Sequence, residues 1–115
     1  IFIKGRKFKI NLFFEGVARF NFNDLCGMNI GAEDYIAITN ICRFITIDNI
    51  PIFNDDNSDK QQRFVTLIDI IYEKKIPIMI SANFNHNNFN SSKKLNEPFK
   101  RTMSRLYELT SLKFI

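Results

Sequence analysis

Two apolar runs, Phe44 to Ile50 and Ile76 to Ala82, flank one amphipathic stretch, and that order leaves little choice of fold. Both runs are rich in Ile, whose branching at Cβ suits an extended backbone. Between them Phe64, Leu67, Ile68 and Ile71 recur at i, i+3, i+4 and i+7, the spacing that lines one face of a helix. The pattern predicts a helix from about Asp59 to Lys75. Ser58 and Gln61 fit a capping box at its start. Lys74 and Lys75 sit at its negative end. A strand, a helix crossover and a second strand form a parallel pair, and such crossovers are right-handed. Pro51 stops the first strand, and Asn54 to Asp59 is a polar, acidic loop. The second strand is apolar on both phases apart from Pro77, which predicts burial between helices on both faces.

Other segments extend this unit at both ends. Phe2 to Ile10, Leu12 to Phe14 and Val17 to Phe22 have strand character, with a bend at Gly5-Arg6 and a turn at Glu15-Gly16. Asp24 to Gly27 reads as a helical turn, and Tyr35, Ile38 and Cys42 mark a helix from about Ala32 to Arg43. Asn83 to Asn96 is a long polar loop, a length often tied to function. Glu97-Pro98 opens a last helix, about Phe99 to Leu112, with proline in its first turn. The expected fold class is α/β: a small, mostly parallel sheet with flanking helices, plus an antiparallel N-terminal β flap. The expected organisation is a single domain over 1–115, with 1–22 as the flap and 23–115 as the α/β part.

Composition narrows the function classes. The 115 residues are 45% hydrophobic and 24% charged, which suits a globular core rather than disorder. No apolar run approaches the roughly 20 residues of a membrane-spanning helix. The chain starts at Ile1 with no apolar leader, so it is expected to be a piece of something longer. Cys26 and Cys42 form neither a disulfide framework nor a zinc site and read as reduced thiols. The net charge of +4 hints at a polyanion. Ile, Asn, Phe and Lys all have AT-rich codons, however, so codon bias alone can raise the lysine count.

Nucleotide-cradling and hydrolytic motifs are absent: the chain has no GxxxxGK[ST], GxGxxG, HExxH or GxSxG. His86 is the only histidine and has no orienting carboxylate beside it. Asp55, Asp56 and Asp59 lack an EF-hand spacing and suit a helix N-terminus. Asn90-Ser91-Ser92 is formally a glycosylation acceptor. The last helix carries more information. Arg101, Arg105 and Glu108 share one face, opposite Phe99, Met103, Leu106 and Leu109. One reading is a solvated face with an Arg105–Glu108 ion pair worth about 0.3–0.5 kcal/mol. The other is a guanidinium pair aimed at phosphate, a task suited to arginine's fixed, permanently charged fork.

Six segments in order match one family pattern. They are Phe20-Asn21-Phe22-Asn23-Asp24-Leu25-Cys26, Gly31-Ala32-Glu33-Asp34-Tyr35 and Ile47-Asp48-Asn49-Ile50-Pro51. Then come Arg63-Phe64-Val65-Thr66-Leu67-Ile68-Asp69 with Tyr72, Ser81-Ala82, and Arg101-Thr102-Met103-Ser104-Arg105-Leu106-Tyr107-Glu108. Together they resemble the C-terminal part of the ZapE family, the AFG-one-like or lactation-elevated AAA+ ATPases. Gln62 stands where the family usually has an arginine, Leu109 where it has methionine and Phe114 where it has tyrosine.

The resemblance implies a P-loop ATPase that uses ATP and Mg²⁺ in the full-length protein. The Walker A and B segments would lie upstream, so this stretch alone is expected to be inactive. It implies Arg63, Arg101 and Arg105 as residues that sense nucleotide or a neighbouring subunit. The expected partners are the upstream P-loop domain, a protein client in cell division or protein quality control, and further copies in a homo-oligomer. The expected place is a bacterial cytoplasm or, in a eukaryote, the mitochondrial matrix. A different class stays open: a small basic nucleic-acid-binding or protein-interaction module. Lys4, Arg6, Lys7 and Lys9 at the start and Lys93, Lys94, Lys100, Arg101 and Arg105 near the end would supply its charge and Phe-rich strands its stacking surface. Against nucleic acid, Phe2, Phe8, Phe20 and Phe22 are more simply core residues.

Overall fold

The computed structural model describes residues 2–3, 6–7, 12–27, 30–82 and 90–110. His86, most of the Asn-rich loop and everything after Thr110, Phe114 included, lie outside the described residues. Strands β1 (Phe2–Ile3) and β2 (Arg6–Lys7) pair antiparallel as a small separate sheet. The main sheet contains β3 (Leu12–Phe14), β4 (Val17–Asn21), β5 (Phe44–Ile50) and β6 (Ile78–Ala82), side by side in that order. The β3–β4 pairing is antiparallel, and β4–β5 and β5–β6 are parallel. The α/β class with an antiparallel N-terminal part therefore holds. β4, inside the segment expected as a flap, is nonetheless a full member of the parallel sheet.

Crossover helices follow each parallel strand. α1 (Phe22–Cys26) and α2 (Ala32–Asn40) lead from β4 to β5, and α3 (Ser58–Glu73) leads from β5 to β6. α4 (Asn96–Thr110) closes the described chain. α3 touches α1, α2 and α4, so it is the hub of the helical layer. Its stripe of Phe64, Leu67, Ile68 and Ile71 is buried, as its spacing predicts. These residues meet Ala18, Phe20, Ile45, Ile47 and Ile78 from one face of the sheet. Phe53 locks four segments together, its ring centroid 5.7 Å from Phe22, 5.6 Å from Phe64 and 5.6 Å from Phe99. That cluster joins the start of α4 to α1, α3 and the segment after β5.

Burial between two helical layers is not what the sheet shows. Along β6, Ile78 is buried but Met79 is 60% exposed, and on β3 Phe14 is 68% exposed. The four described helices share their core with the opposite side of the sheet, through Ala18, Phe20, Ile45, Ile47 and Ile78. An apolar run is therefore compatible with a one-sided sheet, because side-chain chemistry alone cannot report what covers a residue.

Local chemistry also departs from expectation at the start of α3. Asn54 instead caps a preceding 3₁₀ turn, accepting from the Asp56 N–H at 2.9 Å, while its own N–H donates to Asn57 Oδ1 at 2.8 Å. Gln61 is fully buried and turns away from the helix end. It donates to Ser91 Oγ at 2.7 Å and accepts from the Ser92 N–H at 3.0 Å. Satisfying a buried amide takes precedence over capping. At the far end, Lys74 Nζ reaches α2 and donates to Ile36 O, Thr39 Oγ1 and Asn40 Oδ1. Lys75 takes the left-handed conformation, with φ 53°, that ends α3.

Candidate functional site

A polar seam runs between α3 and α4. Arg105 donates from one terminal nitrogen to Asp69 Oδ1 at 2.6 Å, and Arg101 donates to Asp69 Oδ2 at 3.2 Å. One carboxylate thus holds two guanidinium groups. Arg105 lies over the Tyr72 ring, 4.6 Å from its centroid. The Tyr72 hydroxyl donates to Glu108 Oε2 at 2.9 Å, and that contact raises the tyrosine's pKa. The expected Arg105–Glu108 pair does not form, since each has a better-placed partner on α3. Helical spacing brings Asp69 and Tyr72 onto one face of α3, and Arg101, Arg105 and Glu108 onto the facing side of α4.

The two arginines differ in their freedom. The Arg105 side chain is 25% exposed and sandwiched between carboxylate and ring, whereas the Arg101 side chain is 56% exposed. Arg101 keeps donors facing solvent. It is the guanidinium able to meet an incoming oxyanion without dismantling the seam.

Arg63 is not part of this seam. It sits two turns earlier on α3 and donates from Nε to the Cys26 carbonyl at 2.8 Å, tying α3 to the end of α1. A longer contact at 3.4 Å reaches Asp59. Beneath it the Tyr35 hydroxyl donates to the Leu25 carbonyl at 2.7 Å and lies 3.7 Å from Cys26 Sγ. Burial pushes the Cys26 thiol up to about 12 and the Cys42 thiol up to about 11. Both are free thiols, and such values make them poor nucleophiles.

A second polar group stands at the carboxyl ends of the parallel strands, and sequence reasoning did not nominate it. Arg19 on β4 donates from Nε to Asp48 Oδ2 at 2.5 Å, and Ser81 Oγ on β6 donates to Asp48 Oδ1 at 2.8 Å. The Arg19 hydrogen bond holds the Asp48 carboxyl below its usual range, with a smaller contribution from Ser81. β5 bulges here: Ile47 pairs with Ile80 and Ile50 with Ala82, leaving Asp48 and Asn49 opposite Ser81. Asn49 takes φ 61°, and its N–H donates to Ser81 Oγ at 3.3 Å. The signal was present in the sequence, since Asp48 and Ser81 both lie in matched segments. Only the strand register shows that they touch.

Phe20, Phe22 and Tyr35 are fully buried, so Phe20 and Phe22 offer no stacking surface to a base. The side chains of Lys4, Arg6, Lys7 and Lys9 lie outside the described residues. Among the described residues no three His, Cys, Asp or Glu side chains converge as a metal site. No described helix is long and apolar enough to cross a membrane.

A family model described as AFG1-like ATPase matches residues 1–115. Lactation elevated protein 1 homolog B of Danio rerio is 30% identical over 80 residues, covering 70% of this chain and 16% of that protein. Cell division protein ZapE of Escherichia coli K12 is 25% identical over 95 residues, covering 83% of this chain and 25% of that protein. No solved structure matches.

Proposed function

The chain belongs to the AFG1-like ATPase family, and on that premise we propose that it is the C-terminal part of a AAA+ ATPase and supports ATP binding and hydrolysis elsewhere in the same protein. Full-length members of this family are nucleotide- and Mg²⁺-using proteins. The described residues offer no acid cluster for the metal. With no GxxxxGK[ST] in this stretch, the reading assigns Mg²⁺ and the phosphate-cradling loop to an upstream P-loop domain and expects no ATP hydrolysis by this stretch alone. What it contributes is guanidinium. Arg101 and Arg105 sense nucleotide or an adjoining subunit, Arg101 by outward reach and Arg105 as the anchored partner. Arg63 belongs to the same proposal as a relay, since any shift of α3 pulls on the Cys26 carbonyl it grips.

The observation that supports this reading is the shared carboxylate. Asp69 holds both arginines at one spot, leaving Arg101 half free. An arginine delivered to a transferring phosphoryl group can contribute about 10³–10⁵ in rate. The protein would work in a bacterial cytoplasm or mitochondrial matrix, acting on a protein client in cell division or quality control. Steady-state ATP turnover of the full-length protein, with and without Arg101→Ala, tests the role. A loss of at least about tenfold, beside a melting temperature within about 2 °C of wild type, supports it. Unchanged turnover refutes it.

A further inference from the structure

The seam between α3 and α4 sets two guanidinium groups, Arg101 and Arg105, against two carboxylates, Asp69 and Glu108. Glu108 is engaged by the Tyr72 hydroxyl, so Asp69 is the carboxylate that the two arginines share. The sharing is unequal. Asp69 Oδ1 takes the short bond from Arg105 at 2.6 Å, and Arg105 also rests on the Tyr72 ring. Asp69 Oδ2 takes a longer bond from Arg101 at 3.2 Å, from a side chain that is largely in water. If Arg101 lets go, Asp69 keeps Arg105 and is itself partly exposed, so no buried charge is stranded. The contact that breaks is the weaker and wetter of the two, and its loss leaves the rest of the seam in place.

We propose that Asp69 is a latch on Arg101: its carboxylate competes with a phosphate of the nucleotide for the same guanidinium, and Arg101 exchanges one oxyanion for the other. The inference rests on the proposed function for the nucleotide and adds Asp69 as the residue that sets how readily Arg101 responds. Phosphate suits the exchange, because it meets the guanidinium fork with the same paired oxygens as a carboxylate and carries more negative charge. Arg105 does not exchange, since its shorter bond and the Tyr72 ring both hold it. Exposed ion pairs favour their closed arrangement about 1.4- to 5-fold. A ligand that needs Arg101 released is weakened by one plus that ratio, about 2- to 6-fold. Asp69 therefore restrains the use of nucleotide while it keeps Arg105 in position.

ATP turnover by the full-length protein tests the latch. It is read as kcat/KM, which runs from the resting enzyme to the transition state and so includes the cost of opening. Asp69→Asn keeps the shape of the side chain and removes its charge, and it should raise kcat/KM about 2- to 6-fold. Arg101→Ala should lower kcat/KM at least about tenfold. The double variant should fall within about twofold of Arg101→Ala alone, because the latch acts only through Arg101. A folded Asp69→Asn protein with kcat/KM at or below wild type overturns the latch. If Arg101→Ala is still impaired in that case, the sensing role stands and Asp69 is a positioning residue. Unchanged turnover in Arg101→Ala removes the sensing role and the latch with it. A gain in Asp69→Asn that survives Arg101→Ala also overturns the proposal, since the carboxylate then acts on another group. Asp69→Ala, which removes the carboxylate altogether, repeats the measurement should the amide variant misfold.

Discussion

Asp69 is the residue whose removal most sharply separates the two arginines. Truncating it to Ala takes one carboxylate from two guanidinium groups, and the geometry assigns unequal losses. Arg105 meets Asp69 at 2.6 Å with its side chain 25% exposed, while Arg101 meets it at 3.2 Å with 56% exposed. Exposed pairs contribute about 0.2–1 kcal/mol, and Arg101 belongs at the low end because long side chains lose entropy when fixed. Arg105 is half-enclosed and prepositioned by the Tyr72 ring, which puts its coupling to Asp69 at about 1–1.5 kcal/mol. Urea unfolding of the single and double Ala variants at 69, 101 and 105 gives both couplings as double-mutant cycles. The expected order is 69–105 larger than 69–101 by at least about twofold. High salt should erase most of the 69–101 coupling and spare more of the 69–105 coupling. A 69–101 coupling equal to or larger than 69–105 would refute the assignment of Arg105 as anchor and Arg101 as the freer group.

Three further perturbations follow from backbone and charge. Gly16 has φ 83°, and a Cβ there would come within 3.0 Å of Arg43 Cγ; Gly16→Ala should destabilise by about 1–2 kcal/mol in denaturant unfolding, with an unchanged midpoint as the contrary result. Lys75 is exposed at φ 53°. Lys75→Gly relieves left-handed strain of about 1–2 kcal/mol against a glycine entropy cost of about 0.5–1, so melting should rise, and a fall would show that the lysine side chain matters more. Asp48 has its folded-state pKa depressed, mainly by the Arg19 hydrogen bond. Its stabilisation is complete above the unfolded carboxylate value of about 3.9 and disappears as pH falls through the lower folded value. The stability gap between wild type and Asp48→Asn should therefore close as pH drops from 5 towards 2, and a gap that stays constant would contradict the pairing.

Periodicity located α3 and β5 well because each has one dominant face. Phe44–Ile50 is the predicted strand to the residue, and α3 runs Ser58–Glu73 against an expected Asp59–Lys75. Helix ends were less legible. α4 begins at Asn96 rather than Phe99, after a 3₁₀ turn over Lys93–Leu95 that no apolar spacing announces. Gln61 looked like a cap because caps are local, whereas its partners lie 30 and 31 residues away. The same limit governed the site. The α4 spacing placed Arg101 and Arg105 on one side, but only packing revealed that Asp69 faces them. Arg19, Asp48 and Ser81 come from three strands, and nothing in any one strand points to the other two.

The irregularity in β5 has a bearing on how relatives of this chain are compared. Ile45 and Ile47 point inward two residues apart, but the next inward residue is Ile50, three further on. Without Asn49, Ile47, Asp48 and Ile50 would alternate as in a plain strand, and Ile50 would still face inward opposite Ala82. A homologue with a one-residue gap here can thus keep the same core, but it gives up the left-handed residue and the N–H that reaches Ser81. A gap at this point therefore distinguishes relatives that shape the strand around Asp48 from those that run straight through.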